Sequence, residues 1–397
     1  MDRPQGYSLI GYGSMIEDHP RMKAYVAALR DAVRPGSVVL DIGAGTGVFS
    51  LLSLQFGAGH VHAVEPNDAI RVARTIAAAN GYADRITFHQ TISTKINLPA
   101  PADVIISDLR GVLPLLEHHI PSIVDARQRH LADGGHLIPQ CDTIWAALVD
   151  SAESYQQYER PWVSNDLGLD MRAGHPLVVN TWRRVDLTAE RLIVPPQRWT
   201  TLDYRTVDSP HVDAKMAWTA ERPGTAHGVL VWFDTQLLGG IGFSNAPGEP
   251  KLIYGQAFLP LQQSVDLAVG EQVAVRLAAN LVAREYVWRW ETEVFSAPAS
   301  SSARRSPPER RLRFQQSTFL GNALGVEKLR RSEAGYVPRL SASGQTDCYL
   351  LSLIDGQLSL GEIARQTAEK FPKQFPRWQD ALTRAAELAD RFGESPR

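Results

Sequence analysis

Cysteine is almost missing: Cys141 and Cys348 are the only two in 397 residues. Two thiols so far apart in sequence exclude a disulfide framework and a cysteine zinc site, and they suit a reducing compartment. An excess of one charge sign is lacking too. Forty-one basic against forty-three acidic residues leave a formal charge of −2, which gives no global attraction to nucleic acid or to an anionic membrane. No apolar run approaches the length that spans a bilayer, and the start, MDRPQGYSLIGYG, lacks the basic and apolar regions of a signal peptide. A Walker loop and a Gly-x-Ser-x-Gly elbow are also absent. A cytoplasmic protein of two or three domains is expected, with no membrane contact and no nucleic acid partner.

What is present divides into regions of different texture. From about 20 to 150, helical and strand periods alternate. HPRMKAYVAALRDAV reads as an amphipathic helix and SVVLDIG as a buried strand before a glycine turn. HVHAVEP, DRITFHQ, ADVIISD and GGHLIPQ are further strands. Such alternation predicts a parallel sheet with helices on both faces. After 150, strand-like runs such as HGVLVWFDTQLL, QVAVRLAANL and EYVWRWETEVF are punctuated by Gly and Pro, which predicts an antiparallel, barrel-like β domain. SAPASSSARRSPPERR (296–311) reads as a linker. The remainder, to 397, reads as a small helical module with a DGQ turn.

The glycine turn carries the first chemistry. VVLDIGAGTG (38–47) sets Asp41, Gly43, Gly45 and Gly47 between a strand and a helix, where the backbone can approach a ligand that a Cβ would obstruct. Glu65 ends the next strand, placed to accept hydrogen bonds from ribose hydroxyls. Dinucleotide binding calls for the longer Gly-x-Gly-x-x-Gly. The shorter turn with an acid just before it suits a cationic ligand better. His60 and His62 alternate on one strand without a third ligand at a telling spacing, so they are read as structural and no metal is expected.

The series LDIGAGTG, VEP, DVIIS and LADGGHLIP resembles the S-adenosylmethionine-dependent methyltransferases with a Rossmann-like sheet. With YGSMIEDHPRMKAYVAAL before it, SDLRGVLPLLE within it and GVLVWFDTQLLGGIGFSNAPGEP after it, the chain resembles the protein arginine methyltransferases over roughly residues 5–295. The resemblance implies an α/β fold: a Rossmann-like methyltransferase domain (31–147) under an N-terminal helical cofactor lid (1–30), then a β-barrel substrate domain (148–296). A linker (297–315) and a C-terminal helical, winged-helix-like module (316–397) follow. It implies S-adenosylmethionine as cofactor, with Asp41, Gly43, Gly45, Gly47, Glu65, Ile92 and Asp108 among the binding positions. Asp108 and Glu117 fall nine residues apart, where the family carries two glutamates that grip a substrate guanidinium. That ion is planar, permanently charged and rich in donors, so paired carboxylates can both neutralise and orient it.

Four departures from the family stand out. Asp108 replaces a glutamate. The family's Thr-His-Trp loop reads Leu252-Ile253-Tyr254, which leaves Tyr254 to wall the substrate pocket. The family's cofactor-binding Arg of the first helix aligns with Ala27, with Arg30 one turn away as a substitute. The dimerisation arm expected after WVSNDLGLDMRAG looks largely absent, so a dimer of the family's kind is doubtful. The C-terminal module resembles the small winged-helix modules of peptide-binding accessory proteins, which leaves three roles open: docking a protein or peptide substrate, mediating oligomerisation, or capping the barrel. The expected activity is methylation of arginine in a protein or peptide. Small-molecule N-methylation, free arginine included, and non-catalytic cofactor binding are the alternatives.

Overall fold

The structure is a computed structural model that describes residues 7–297, 309–322, 327, 330–331 and 333–394. The chain divides into two compact units near residue 323. Two helices open the first, α1 (Leu9–Glu17) and α2 (His19–Ala32), capped by the side chains of Ser8 and Asp18, each of which satisfies one orphan donor of a first turn. There follow β1 (Val38–Ile42), α3 (Val48–Gln55), β2 (His60–Val64), α4 (Ala69–Ala79), β3 (Ile86–His89), β4 (Ala102–Ser107), α5 (His119–His130) and β5 (Leu131–Ile138). These five strands pair in parallel in the order β3-β2-β1-β4-β5. Val39, Leu40, Val61, Ala63, Val104, Ile105 and Ile106 are all buried, as strands covered on both faces require. The order reverses between β1 and β4, which opens a crevice outside their carboxyl ends.

The chain then enters β6 (Cys141–Val149) and leaves it through α6 (Ala152–Val163) and α7 (His175–Val178). It continues as β7 (Arg183–Val185), β8 (Gln197–Asp203), β9 (Val212–Thr219), β10 (Gly224–Leu238), β11 (Ile241–Ser244), β12 (Gln256–Leu267), β13 (Gln272–Val282), β14 (Glu285–Phe295) and β15 (Arg310–Ser317). One antiparallel sheet runs β7-β12-β10-β6-β8, with β11 on β10, and another runs β15-β14-β13-β9. β8 adjoins β9 and β12 adjoins β15, so the two sheets wrap around a common interior. That interior is continuous with the parallel sheet: Leu40, Ile105 and Ile120 share one buried cluster with Ile144, Phe233 and Trp290.

Several sequence expectations shift here. The β domain begins at Cys141 rather than 148, because CDTIWAALV pairs with β8 and β10. Residues 310–315, read as linker, belong to β15. Phe314 and Gln316 point inward, while Arg310 and Arg313 face out and pair with Glu293 and Glu291. The strands β7, β9 and β11 have no counterpart in the sequence pattern, and RLIVPP, which reads as strand-like in the sequence, forms only an isolated bridge at Leu192. Residues 298–308 of the linker lie outside the described residues. The second unit is helical as expected, with α8 (Ala342–Ser352), α9 (Leu360–Lys370) and α10 (Trp378–Phe392) packed through Leu350, Ile363, Ala385 and Leu388. Ser359 and Glu362 form a reciprocal cap on α9. Among its described residues there is no strand, so a wing is not seen. No described helix is long and apolar enough to cross a membrane.

Trp290 is fully buried and its indole Nε1 donates to the Pro260 carbonyl at 2.9 Å. Trp290→Ala is expected to lose about 3–5 kcal/mol of stability, read as a lower midpoint in urea denaturation.

Candidate active site

The carboxyl edge of the parallel sheet gathers most of the residues singled out above. Asp41 lies in β1, Glu65 follows β2, Ile92 follows β3 and Asp108 follows β4. Gly43 and Gly45 have φ of +74° and +54°, and a Cβ on them would run into Leu109 and Tyr12 respectively. Only glycine lets the turn lie this close to those side chains. Gly47 caps the amino end of α3 in the same left-handed conformation. Glu65 holds the turn from the far side. Its Oε2 accepts from the Gly45 amide at 3.0 Å, and its Oε1 accepts from the Asn67 amide and side chain, both at 2.9 Å. Ile92 is half exposed and makes no charged contact.

Asp41 is fully buried. Its Oδ2 accepts from Ser50 Oγ at 2.6 Å, while its Oδ1 has no partner. Burial pushes its carboxyl up to about 7, against the hydrogen bonds of Ser50 and with some help from the charge of Glu65.

Asp108 sits in the densest part of the site. Its Oδ2 accepts from Arg21 Nε at 2.8 Å, from Arg21 Nη2 at 2.5 Å and from the Tyr254 hydroxyl at 2.7 Å, and its Oδ1 accepts from Arg110 Nε at 3.1 Å. Burial alone would raise this carboxyl. The guanidiniums of Arg21 and Arg110, aided by Tyr254, outweigh it and hold the group down to about 2. Arg110 reaches on to Asp142 in β6 at 2.9 Å and Thr235 in β10 at 2.6 Å, and it also donates to the Tyr25 hydroxyl. Tyr204 donates to the second Asp142 oxygen at 2.6 Å.

Tyr254 therefore does more than line a wall, since its hydroxyl also accepts from Arg21 Nε at 3.0 Å and its ring stacks on Phe243. Its neighbour Ile253 donates its amide to Asp18 at 2.8 Å, which docks this barrel loop on the start of α2.

The arginine of α2 that enters the site is Arg21. Ala27 offers no charge, and Arg30 is exposed and lies over the Phe56 ring. Arg21, Tyr25, Ala28 and Leu29 share the buried face of the helix, and that i, i+4, i+7 phase was the available signal. Glu117 is exposed, with no hydrogen-bond partner among the described residues. Its φ of +41° places a side chain bearing a Cβ in the left-handed region, a strain of about 1–2 kcal/mol. It lies within reach of the same region: desolvation, then the charges of Asp108 and Glu117, raise the Tyr7 phenol.

Two family profiles cover this architecture. The one described as "Ribosomal protein L11 methyltransferase (PrmA)" matches residues 16–146, and "Arginine methyltransferase oligomerization subdomain" matches 141–288. Together they span the sheet and the barrel in order. The chain belongs to the protein arginine methyltransferase family.

Among its relatives is a probable histone-arginine methyltransferase 1.4 of Arabidopsis thaliana, 30% identical over 68% of this chain and 54% of that protein. Another is an "Arginine N(omega)-methyltransferase" of Streptomyces achromogenes subsp. streptozoticus, 28% identical over 66% of this chain and 74% of the relative. The chain thus spans about half the length of the histone-arginine methyltransferases it matches. Two solved structures share the fold. One is a Trypanosoma brucei PRMT1 enzyme-prozyme heterotetrameric complex with AdoHcy, with a TM-score of 0.65, 21% identity and coverage of 77% of this chain and 97% of that one. The other is Arabidopsis thaliana protein arginine methyltransferase 10, with a TM-score of 0.66, 21% identity and coverage of 78% and 98%. Within this family frame, the segment from 150 to 182 leaves the barrel between β6 and β7 as α6, a turn and α7. Tyr155 and Tyr158 of α6 are buried, and α6 packs on the barrel through Gln262 and Phe258.

An Asp whose folded-state pKa lies above its unfolded value binds its proton more tightly when folded. Stability should therefore fall as pH rises from 3.8 through about 7. Thermal denaturation across that window should show this decline in the wild type and a shallower one in Asp41→Asn.

Proposed function

We propose that this chain transfers the methyl group of S-adenosylmethionine to a guanidinium nitrogen of arginine in a protein or peptide. The observation that carries the reading is Asp108. It is an ionised carboxylate at the switch point of the sheet, beside the glycine turn and joined to the barrel through Tyr254. Glu117 follows on the same loop. The cofactor fits the residues around the turn. A left-handed glycine cradle and a buried Asp41 oxygen without a partner suit a cationic, backbone-bound ligand. Glu65 would meet the ribose, and Arg21 is the guanidinium able to meet the carboxylate.

When bound, the cofactor supplies a methyl group on a sulfonium, a good leaving group. The protein's part is to hold and to polarise. Asp108 and Glu117 would take N–H groups of the acceptor guanidinium and draw its charge toward themselves. One terminal nitrogen is then left with its lone pair along the line of transfer. Transfer would form the N–C bond at the expense of the C–S bond, whose electron pair would stay on sulfur, and exposed Glu117 and water would take the proton that the nitrogen sheds. Tyr254 and Arg21 keep Asp108 ionised and oriented. The separate helical unit is the part suited to engaging a protein or peptide substrate.

A second reading, N-methylation of a small molecule such as free arginine, draws on the Streptomyces relative, whose name specifies arginine without a protein. Incubation with radiolabelled S-adenosylmethionine and, separately, arginine-rich peptides, free arginine or lysate decides between them. Label in peptide or protein arginine is expected. Label confined to small molecules would favour the second reading, and no label with cofactor still bound would make the chain a non-catalytic binder.

Glu117→Gln should lose at least about 100-fold in kcat, as loss of one electrostatic contact to the transition state does, yet keep cofactor affinity in calorimetry. Glu117→Gly should lose turnover as well but gain about 0.5–1 kcal/mol in denaturant unfolding, because it relieves the left-handed backbone.

A further inference from the structure

Arg110 stands two residues beyond Asp108, and its side chain has no exposed surface. The rings of Tyr25, Phe233, Phe243 and Tyr254 surround its guanidinium at 5.4–5.9 Å. An apolar side chain would fill such an aromatic cage without the several kcal/mol that desolvating a cation costs. The cation is nevertheless here, and its donors go in three directions. Nε goes to the Oδ1 edge of Asp108, Nη1 goes to Asp142 and Thr235 on the barrel strands β6 and β10, and Nη2 goes to the Tyr25 hydroxyl on α2.

We propose that Arg110 is a positioning residue for methyl transfer. It locks the Asp108 carboxylate to the barrel and leaves Oδ1 as the oxygen that receives the acceptor N–H. The assignment rests on the methyltransferase reading above. A carboxylate oxygen offers two lone-pair directions, and Oδ2 already takes three donors from Arg21 and Tyr254. Oδ1 takes only one, so the acceptor must approach that edge. The orientation of the edge is set from the barrel side. Tyr204 fixes Asp142, Asp142 and Thr235 fix Arg110, and Arg110 fixes Asp108. Asp108 hangs from the parallel sheet with Oδ2 held by Arg21 and Tyr254, and its Oδ1 edge is tied to strands of the β domain through Arg110. An acceptor can make one N–H contact there, and its second must go to Glu117.

Arg110→Met removes the cation and keeps an apolar stem, and Arg110→Lys keeps the charge without the planar fork. The expected result for Arg110→Met is a fall in kcat of about 100-fold, the scale of a misplaced reacting group, with acceptor KM and cofactor Kd nearly unchanged. Arg110→Lys should recover part of the loss. Independently of any acceptor, 13C NMR of aspartate-labelled protein should show the Asp108 carboxyl titrating about one pH unit or more higher in Arg110→Met. Turnover within about threefold of wild type, or an unmoved titration, would overturn the proposal, since each lies below what a lost ion pair does. If Arg110→Met does not fold, Thr235→Val decides. A fall in kcat of about fivefold, the scale of one hydrogen bond, supports the role, and unchanged kcat removes it. Full turnover in Glu117→Gln would sink the arginine reading, and the Asp108 titration would still decide the role of Arg110.

Discussion

Everything at this site depends on how four charges are buried where the parallel sheet meets the barrel. Arg21 and Arg110 are set against Asp108 and Asp142, and none of the four side chains is more than 10% exposed. Isolated, any one of them would be too costly to desolvate. Alternating, they sum to zero and are stitched by Tyr254, Tyr25, Thr235 and Tyr204. The cluster can be assembled only when α2, the loop after β4 and strands β6 and β10 are all in place. The environment of the Asp108 carboxylate is therefore a product of two domains folded against each other. The shared apolar core, running from Leu40 to Trp290, is what holds them there.

That balance also shapes the chemistry. A carboxylate compensated by two resident guanidiniums presents little net charge to an arriving cation. Glu117, exposed and without such partners, carries the charge that an acceptor would sense first. In the proposed reaction the labour would divide between a buried, neutralised anchor and an exposed, charged one. The backbone strain at Glu117 fits this division, because strained residues persist where the surrounding structure over-determines them and function requires it.

Much of this is legible in the sequence. The glycine turn declares itself by its residues, and the family resemblance directs attention to Asp108 and Glu117. The five parallel strands appear where continuous apolar runs predict them. What escapes has physical reasons. The family resemblance directs attention to Ala27, whereas the phase of the helix puts Arg21 on the buried face. β15 is hidden because its outward arginines make the segment read as a basic linker. Only the glutamates of β14 across from them show that it is a sheet edge. Arg110 has no sequence signal. A lone charge in a loop is usually solvated, and nothing local reveals that the barrel roofs this one with four aromatic rings.

Tyr12, reaching over Gly45 from α1, has a meaning for the order of events. The helix that carries it contributes no buried residue of its own and leaves Leu9, Ile10 and Ile16 exposed, so its local opening free energy sits at the low end for the domain. Lifting it would uncover the glycine turn at the cost of the hydrogen bond that Arg21 Nη1 donates to the Met15 carbonyl of α1 at 2.9 Å, and would leave the sheet and the barrel in place. As a gate, α1 would be cheaper to move than the groups beneath it. Exchange of what lies beneath α1 can run on the timescale of a fraying terminus, while the reacting groups stay as rigid as the core.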